Sequence, residues 1–570
     1  MLRYAVLALA SLVAVLAALA RAAPNREQPP SAALHLVVTE AGSGKALPCR
    51  IVLRGTRGEP VMVRAAETRD VAVRPGVVYT GSGDVTLSVP PGRLTLYALR
   101  GPTYSLARKS VTLKPGGSLT VRLELRREVG TSGYVSCDPH THTLTYGGHG
   151  DATIQERVVT LAGEGIEMPV ATEHNKHVSY SQAAEQAGVS RWFTPVVGDE
   201  VTTSVGHWCL FPLRPKDTPA PVTPLNRASL LAASRAMPEA RVAILNHPAD
   251  VHASFRPADP ARFHLGSGES LDGQTWGFDA IEVINSSAQR SDFMEPFRVW
   301  FALLNRGYHT VAVGASDCHD VDAFIVSQAR TYIRGSAAAP DRVDVADACT
   351  NLLAGRALVS LGLLTEAWVD HRFGVGDLAT GLGSTLPVRV RVQGPGWMSA
   401  DRVELWMNGR KVAERRLSGS QTRPVKADLT FRLPKPKQDA WLVAIASGPA
   451  DNLTFWPIAP PYQPSRLDWE PRVIGATNPI RIDGDGDGRY SSPFDYAKAA
   501  LESSGGSAAK LMSELAHFDE AVSVQAASLL RERGVKTTTS EFQQALQSAP
   551  QPVRTGFALY EELLPQSIPR

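Results

Sequence analysis

Between Tyr134 and Asp320 six apolar runs each end in a cluster of histidines or acids. The clusters are Asp138-Pro139-His140-Thr141-His142, Glu173-His174, Asp199-Glu200, His207, Asn246-His247-Pro248 and Asp317-Cys318-His319. Neutral imidazoles and carboxylates are preferred ligands of divalent transition metals. Residues i and i+2 of an extended chain share a face, so His140 and His142 can grip one ion together. A His-x-His pair alone is a weak signal. Joined to further candidates at the ends of neighbouring runs, it points to a multi-metal site.

The elements that must position these residues alternate in period. Strands are expected at 134–136, 166–171, 194–197, 208–211, 242–245, 280–284 and 310–313, with helices between them at 152–162, 224–236 and 292–305. Such alternation predicts an α/β region of parallel β/α units, closing over residues 129–362 into a distorted seven-stranded (β/α) TIM-like barrel. Functional residues of such barrels gather at the C-terminal ends of the strands. His140 and His142 follow the first strand, His174 the second, Glu200 the third, His247 the fifth, and Asp317 with His319 the seventh, while His207 lies where the fourth begins. The long segment 251–276 is expected to wall the pocket.

The flanks read differently. Residues 23–128 alternate in short runs broken by Pro90-Pro91-Gly92 and Pro115-Gly116-Gly117, which predicts an antiparallel β-sandwich similar to transthyretin-like or carboxypeptidase-regulatory modules. Residues 363–460 read as a second sandwich, with strands at 386–392, 402–407 and 441–446 and a hairpin turn at Asn408-Gly409. Residues 461–570 hold an Asp/Gly loop and a C-terminal helical segment with apolar residues Leu501, Leu511, Leu515, Val522 and Leu529. In that loop Asp483, Asp485 and Asp487 have the spacing of a calcium loop, but position twelve is Phe494 where an EF-hand needs glutamate. A plain glycine–aspartate turn is the other reading.

Arg3, the apolar run 4–19 and Ala20-Arg21-Ala22 have the form of a secretory signal peptide over residues 1–22. An uncleaved anchor is the competing reading, although a bilayer needs roughly 20 apolar residues. The expectation is therefore a periplasmic or secreted protein with no stable membrane span after cleavage. A net charge of +3 over 570 residues points to neither nucleic acid nor an anionic membrane as partner. The five widely spaced cysteines do not make a disulfide framework; Cys137 and Cys318, beside proposed ligands, read as small buried residues. Neither a Gly-x-Ser-x-Gly elbow nor a P-loop is present. Oligomeric state is not legible here.

With its opening His140-x-His142, Glu173-His174-Asn175, Gly198-Asp199-Glu200, Asn246-His247-Pro248 and closing Asp317-x-His319, the stretch 130–360 resembles the PHP (polymerase and histidinol phosphatase) superfamily of metal-dependent hydrolases. The flanking sandwiches and export signal look most like the branch named for the CehA and McbA carbaryl hydrolases. The resemblance implies two or three divalent ions, typically zinc, iron or manganese. By position, His140, His142, Glu200 and Asp317 would hold the first ion; Glu200 would bridge to a second on His207 and His247; and His149, His174 and His319 would hold a third.

Those ions would make hydroxide available to cleave an ester-like bond (phosphoester, carbamate or carboxylic ester) of a small-molecule substrate, with Asp317 or His319 as catalytic residues assisting proton transfer. Glu173 departs from the aspartate frequent in the family, so it is either a ligand or a supporting partner. Lys176 and His177 are read as substrate contacts or as solvated loop residues. The alternative from another class is an extracellular polymer-binding protein with a catalytically silent, metal-stabilised barrel.

Overall fold

A computed structural model describes residues 30–565 except 224, 225, 253, 275, 336, 338, 420, 462 and 464–468. The leader at 1–22 and the first residues of the helix expected at 224–236 lie outside them. Strands hold 34% of the chain and helices 21%. No helix among the described residues is long and apolar enough to cross a membrane.

The alternating runs of the first flank become two sheets of four and five strands between Ala32 and Leu125. Leu34, Leu36, Leu87, Val121 and Leu123, one face of each alternation, fill the core between them. One pair departs from the antiparallel expectation, since Ala32–Glu40 runs parallel to Ser118–Leu125.

In the middle region β1 (Tyr134–Thr141), β2 (Met168–Ala171) and β3 (Val196–Val197) pair in parallel. A second sheet runs β4 (Asp199–Thr203), β5 (Gly206–Phe211), β6 (Val242–Leu245), β7 (Ala280–Asn285) and β8 (Val311–Ala315). Its first two pairings are antiparallel and the rest parallel. The expected strands therefore form, but the closed seven-stranded TIM-like barrel does not. The strands are instead shared between a five-stranded sheet and an eleven-stranded one, and the fold is a curled half-barrel sheet with several small sheets.

The reason lies at the seam between β1 and β8. The edge of β1 that β8 would need is taken by an antiparallel strand, β9 (Ala329–Arg334). Side chains then satisfy the outer edge of β8 at every second residue. Asn478 accepts from the Ala312 N–H at 2.8 Å and donates to its carbonyl at 2.9 Å. Thr331 Oγ1 accepts from Gly314 N–H at 3.0 Å and donates to Gly314 O at 2.9 Å, and Asp138 accepts from Ser316 N–H at 3.0 Å. Buried backbone groups need partners, and here those partners are not a ladder.

The same sheet continues outward. β10 (Ala357–Leu361) pairs with β9 and with Arg472–Thr477, which leads through Ala440–Pro449 and Arg402–Met407 to Arg410–Arg416. A three-stranded sheet of Leu364–Val369, Thr385–Gln393 and Val425–Pro434 completes the C-terminal strand region. At residues 362–363 the chain passes from the long sheet to the three-stranded one, while strands from both sides of that point share the long sheet.

Two helical parts bear on the centre. Ile154–Glu164 starts in a Thr153–Glu156 capping box and ends at Gly165, whose φ of 68° suits glycine. It carries the buried Arg157, which donates to the carbonyls of His142 at 2.8 Å, Cys318 at 2.9 Å and Asp320 at 3.1 Å. The tail comprises Pro493–Ser504, Ala508–Leu515, Glu520–Glu532, Ser540–Ser548 and Gln551–Leu563. It grips the 251–276 segment at the buried Glu269, which accepts from Ser528 Oγ at 2.7 Å and Tyr560 OH at 2.8 Å and pairs with Arg531.

Candidate metal centre

The mouth of the half-barrel gathers imidazoles around two carboxylates. Glu200, on β4, turns Oε1 toward His140 Nε2 (3.4 Å), His207 Nδ1 (3.2 Å) and His247 Nε2 (3.5 Å). Its Oε2 faces His142 Nε2 (3.5 Å) and His174 Nδ1 (2.6 Å). Asp317 Oδ1 lies 3.2 Å from His140 Nε2 and 3.3 Å from His142 Nε2. His319 stacks on His142 with ring centroids 4.1 Å apart.

Three donor groups there could each hold a metal ion, their ligand atoms within 4.8 Å of one another: His140–His142–Asp317, His207–His247–His252 and His142–His174–His319. His149 joins none of them. It is exposed at the rim, its ring tilted against that of His319 at 4.1 Å, with Nδ1 against Gly147 O. His142 takes its place beside His174 and His319.

The centre has its own support. His140 lies inside β1, which runs on to Thr141, and its Nδ1 is 2.7 Å from Glu282 on β7. Asn246 donates to Glu200 Oε1 at 3.0 Å, and Thr202 Oγ1 lies 2.9 Å from His174 Nδ1. Such outer partners fix ring orientation and tautomer. Glu173 supports a loop rather than the imidazoles: it accepts from Thr143 Oγ1 at 2.7 Å and Tyr180 OH at 3.0 Å. Lys176 donates to Tyr146 O, and His177 turns to Asp199 at 3.4 Å. All five cysteines are free and buried; Cys318 donates to Asp320 O at 3.3 Å.

Three of the nine non-glycine residues with positive φ among the described residues lie here. Asn175 (φ 53°), His247 (φ 24°) and Asp317 (φ 51°) occupy left-handed conformations that side chains other than glycine rarely adopt. Asp317 is held there by its N–H bond to His140 O at 2.8 Å.

Burial alone would raise both carboxylates, but His140 and its neighbours hold Glu200 and Asp317 well below the usual carboxylate range. Burial would lower His140, yet Asp317, Cys209, Glu282 and Glu200 hold it well above the usual imidazole value. Burial keeps His142 well below that value and pushes His252 and His319 down to about 4. Both nitrogens of His142, His247 Nδ1, His252 Nε2 and His319 Nε2 are buried and make no hydrogen bond in the described structure. An orphaned buried polar atom costs about 1–3 kcal/mol, and ligation would satisfy these donors. The residues therefore fit divalent metal.

A cleft of about 290 Å³ opens onto the cluster, lined by His149, His174, Glu200, His207, His247, His252, Ser287, Asp317, His319, Asp320 and Phe324. The sequence reading missed Glu282 and His252. Glu282 was legible as a lone acid in the apolar run Ala280-Ile281-Glu282-Val283-Ile284, and His252 as a histidine in the expected wall.

A fourth group, all acidic, of Asp439, Asp483 and Asp485 could also hold an ion. Asp439 comes from a strand start that no local spacing reveals. Asp487 stands apart, accepting from Arg489 N–H at 2.8 Å.

Fold and site together define a β-rich, mixed-sheet protein with a buried histidine–carboxylate cluster able to bind metal. No protein-family model and no curated protein matches the chain. Among solved structures, the minor pilin GBS52 of Streptococcus agalactiae is similar over 18% of this chain and 46% of its own, at 16% identity and a TM-score of 0.15. A Parabacteroides merdae beta-glucuronidase is similar over 77% of this chain and 60% of its own, at 10% identity and a TM-score of 0.16. The chain thus spans under two thirds of either protein's length. Likenesses this slight carry no argument about function.

Proposed function

We propose that the protein is an exported metal-dependent hydrolase of the PHP type, acting on an ester-like bond in a small substrate. The observation that carries this reading is the set of buried, unpartnered imidazole nitrogens around Glu200 and Asp317 at the floor of an open cleft. Export rests on the leader-like residues 1–22. A structural metal site usually closes at four ligands around one ion, whereas this cluster offers more donors than one ion can use.

His140, His142, Glu200 and Asp317 would hold one ion, His207 and His247 with Glu200 a second, and His174 with His319 a third that draws on His142. Mixed imidazole and carboxylate donors suit zinc, iron or manganese. Bound divalent ions lower the pKa of coordinated water towards neutrality and polarise the bond to be broken. Glu282 and Thr202 aim the rings. Asp317 is oriented by Asn285, which donates to Oδ2 at 3.2 Å, and with His319 it borders the cleft where a proton must be taken up or released.

For the aspartate loop we infer a self-satisfied turn rather than a calcium site. Asp483 already accepts from Gly486 and Gly488 N–H, and Asp439 from Gly484 and Ser491 N–H. Calcium would have to displace or share these bonds.

Elemental analysis joined to a screen of nitrophenyl phosphates, aryl carbamates and carboxylic esters tests the function. Bound metal with turnover of one class, both lost in His140→Ala/His142→Ala, is the expected result. Metal-loaded protein that turns over none of the three, yet binds polysaccharide, would favour the polymer-binding alternative.

A further inference from the structure

The 251–276 segment brings a histidine that the family pattern does not supply. His252 follows His247 by one tight turn, in which Asp250 N–H bonds to His247 O at 3.0 Å. A second turn then pins His252 itself, with reciprocal 2.8 Å bonds between its backbone N–H and carbonyl and those of Phe255. Its ring centroid lies 4.1 Å from that of His247 and 5.0 Å from that of His207. These tilted ring contacts leave Nε2 buried without a hydrogen-bond partner.

We infer that His252 is a further protein ligand of the second ion, closing with His207, His247 and Glu200 a set of three imidazoles and one carboxylate. The inference rests on the metal-centre reading above but not on hydrolysis. Four such donors match the four-coordinate preference of Zn²⁺. Imidazole-rich sites also favour zinc over manganese in the general affinity order. With three imidazoles to the first site's two, the second site is therefore the more zinc-selective one and the last to empty.

The anchor of this wall is remote. Within the segment, Ser267 and Glu269 are held by Gln525, Ser528 and Arg531 of the helical tail. The tail thereby braces the chain that carries His252.

The test loads the full chain with Zn²⁺ and follows retained zinc per chain during titration with EDTA, with circular dichroism reporting the fold. His252→Ala should release one zinc equivalent at about 10–100-fold lower chelator, and His252→Cys, which supplies a thiolate, should restore retention. In the wild type, zinc should move the His252 ring-nitrogen resonances from free to metal-bound positions. Unmoved resonances, or a folded His252→Ala that keeps wild-type retention, would overturn the inference. Since no readout is turnover, a protein that binds zinc through His252 but cleaves nothing sinks the hydrolase reading alone.

Discussion

Glu282 Oε1 lies 2.7 Å from His140 Nδ1, and Glu282 Oε2 accepts the backbone N–H of His247 at 2.7 Å. One buried carboxylate thus sets the tautomer of one ligand candidate and the backbone of another. With Nδ1 engaged, Nε2 of His140 is the nitrogen left to face Glu200 and Asp317.

Glu282→Gln places an amide where three donors, from His140, His247 and Asn285, need acceptors. Metal affinity should fall about 10–100-fold while the fold persists. Calorimetric titration with Zn²⁺ measures this, and an unchanged affinity would remove Glu282 from the supporting role.

The metal-free protein should lose stability as pH falls from about 6.5 to about 4. Burial, helped by nearby imidazoles, pushes His252 and His319 down to about 4, so in that window the unfolded chain binds more protons than the folded one. His140 has the opposite sign: held above its usual value, it contributes stability that is full below about 6.5 and is lost as pH rises through its folded value. Urea midpoints in EDTA across the acid window should slope upward with pH, and His319→Asn should flatten the slope. Zinc binding near pH 7 should also release the His140 proton, seen as a dependence of heat on buffer ionisation.

Asp317→Asn keeps the shape and removes the charge facing His140 and His142. Turnover should fall by about 100-fold or more, within the span of a lost acid–base group. Full activity with intact metal content would remove Asp317 from proton transfer.

Arg157→Leu would strip partners from the carbonyls of His142, Cys318 and Asp320 at once. Leaving such buried groups unpaired should cost about 3 kcal/mol or more. Chemical denaturation reads the loss; a change below about 1 kcal/mol would mean that the loops hold themselves.

Glu269→Ala breaks the junction between the 251–276 segment and the tail, and leaves Arg531 and Tyr560 without their shared acceptor. A destabilisation of about 1–3 kcal/mol is expected, because the Arg531 left behind keeps 30% of its side chain exposed and the loss is that of buried hydrogen-bond partners. Limited proteolysis should open first within 251–276; unaltered resistance would show that the tail is not its brace.

Several relationships were legible along the chain because they are local. Short apolar runs marked the strands at 134–136, 242–245 and 280–284, since a strand buried on both faces needs apolar residues at successive positions. Ligand types at run ends brought His140, His142, His174, Glu200, His207, His247, Asp317 and His319 under suspicion, and the fold gathers those eight. Tertiary structure decided what spacing cannot carry. Whether β8 returns to β1 depends on β9, on Thr331 and on Asn478, which lies 166 residues from the Ala312 it satisfies. Such competition for a strand edge leaves no local period. His149 was drawn to the third group by position, yet its loop leaves it at the rim with His142 beneath. Glu282 and His252 gained their roles only when packing set them against imidazoles from other strands, because ligation depends on distance in space rather than in sequence.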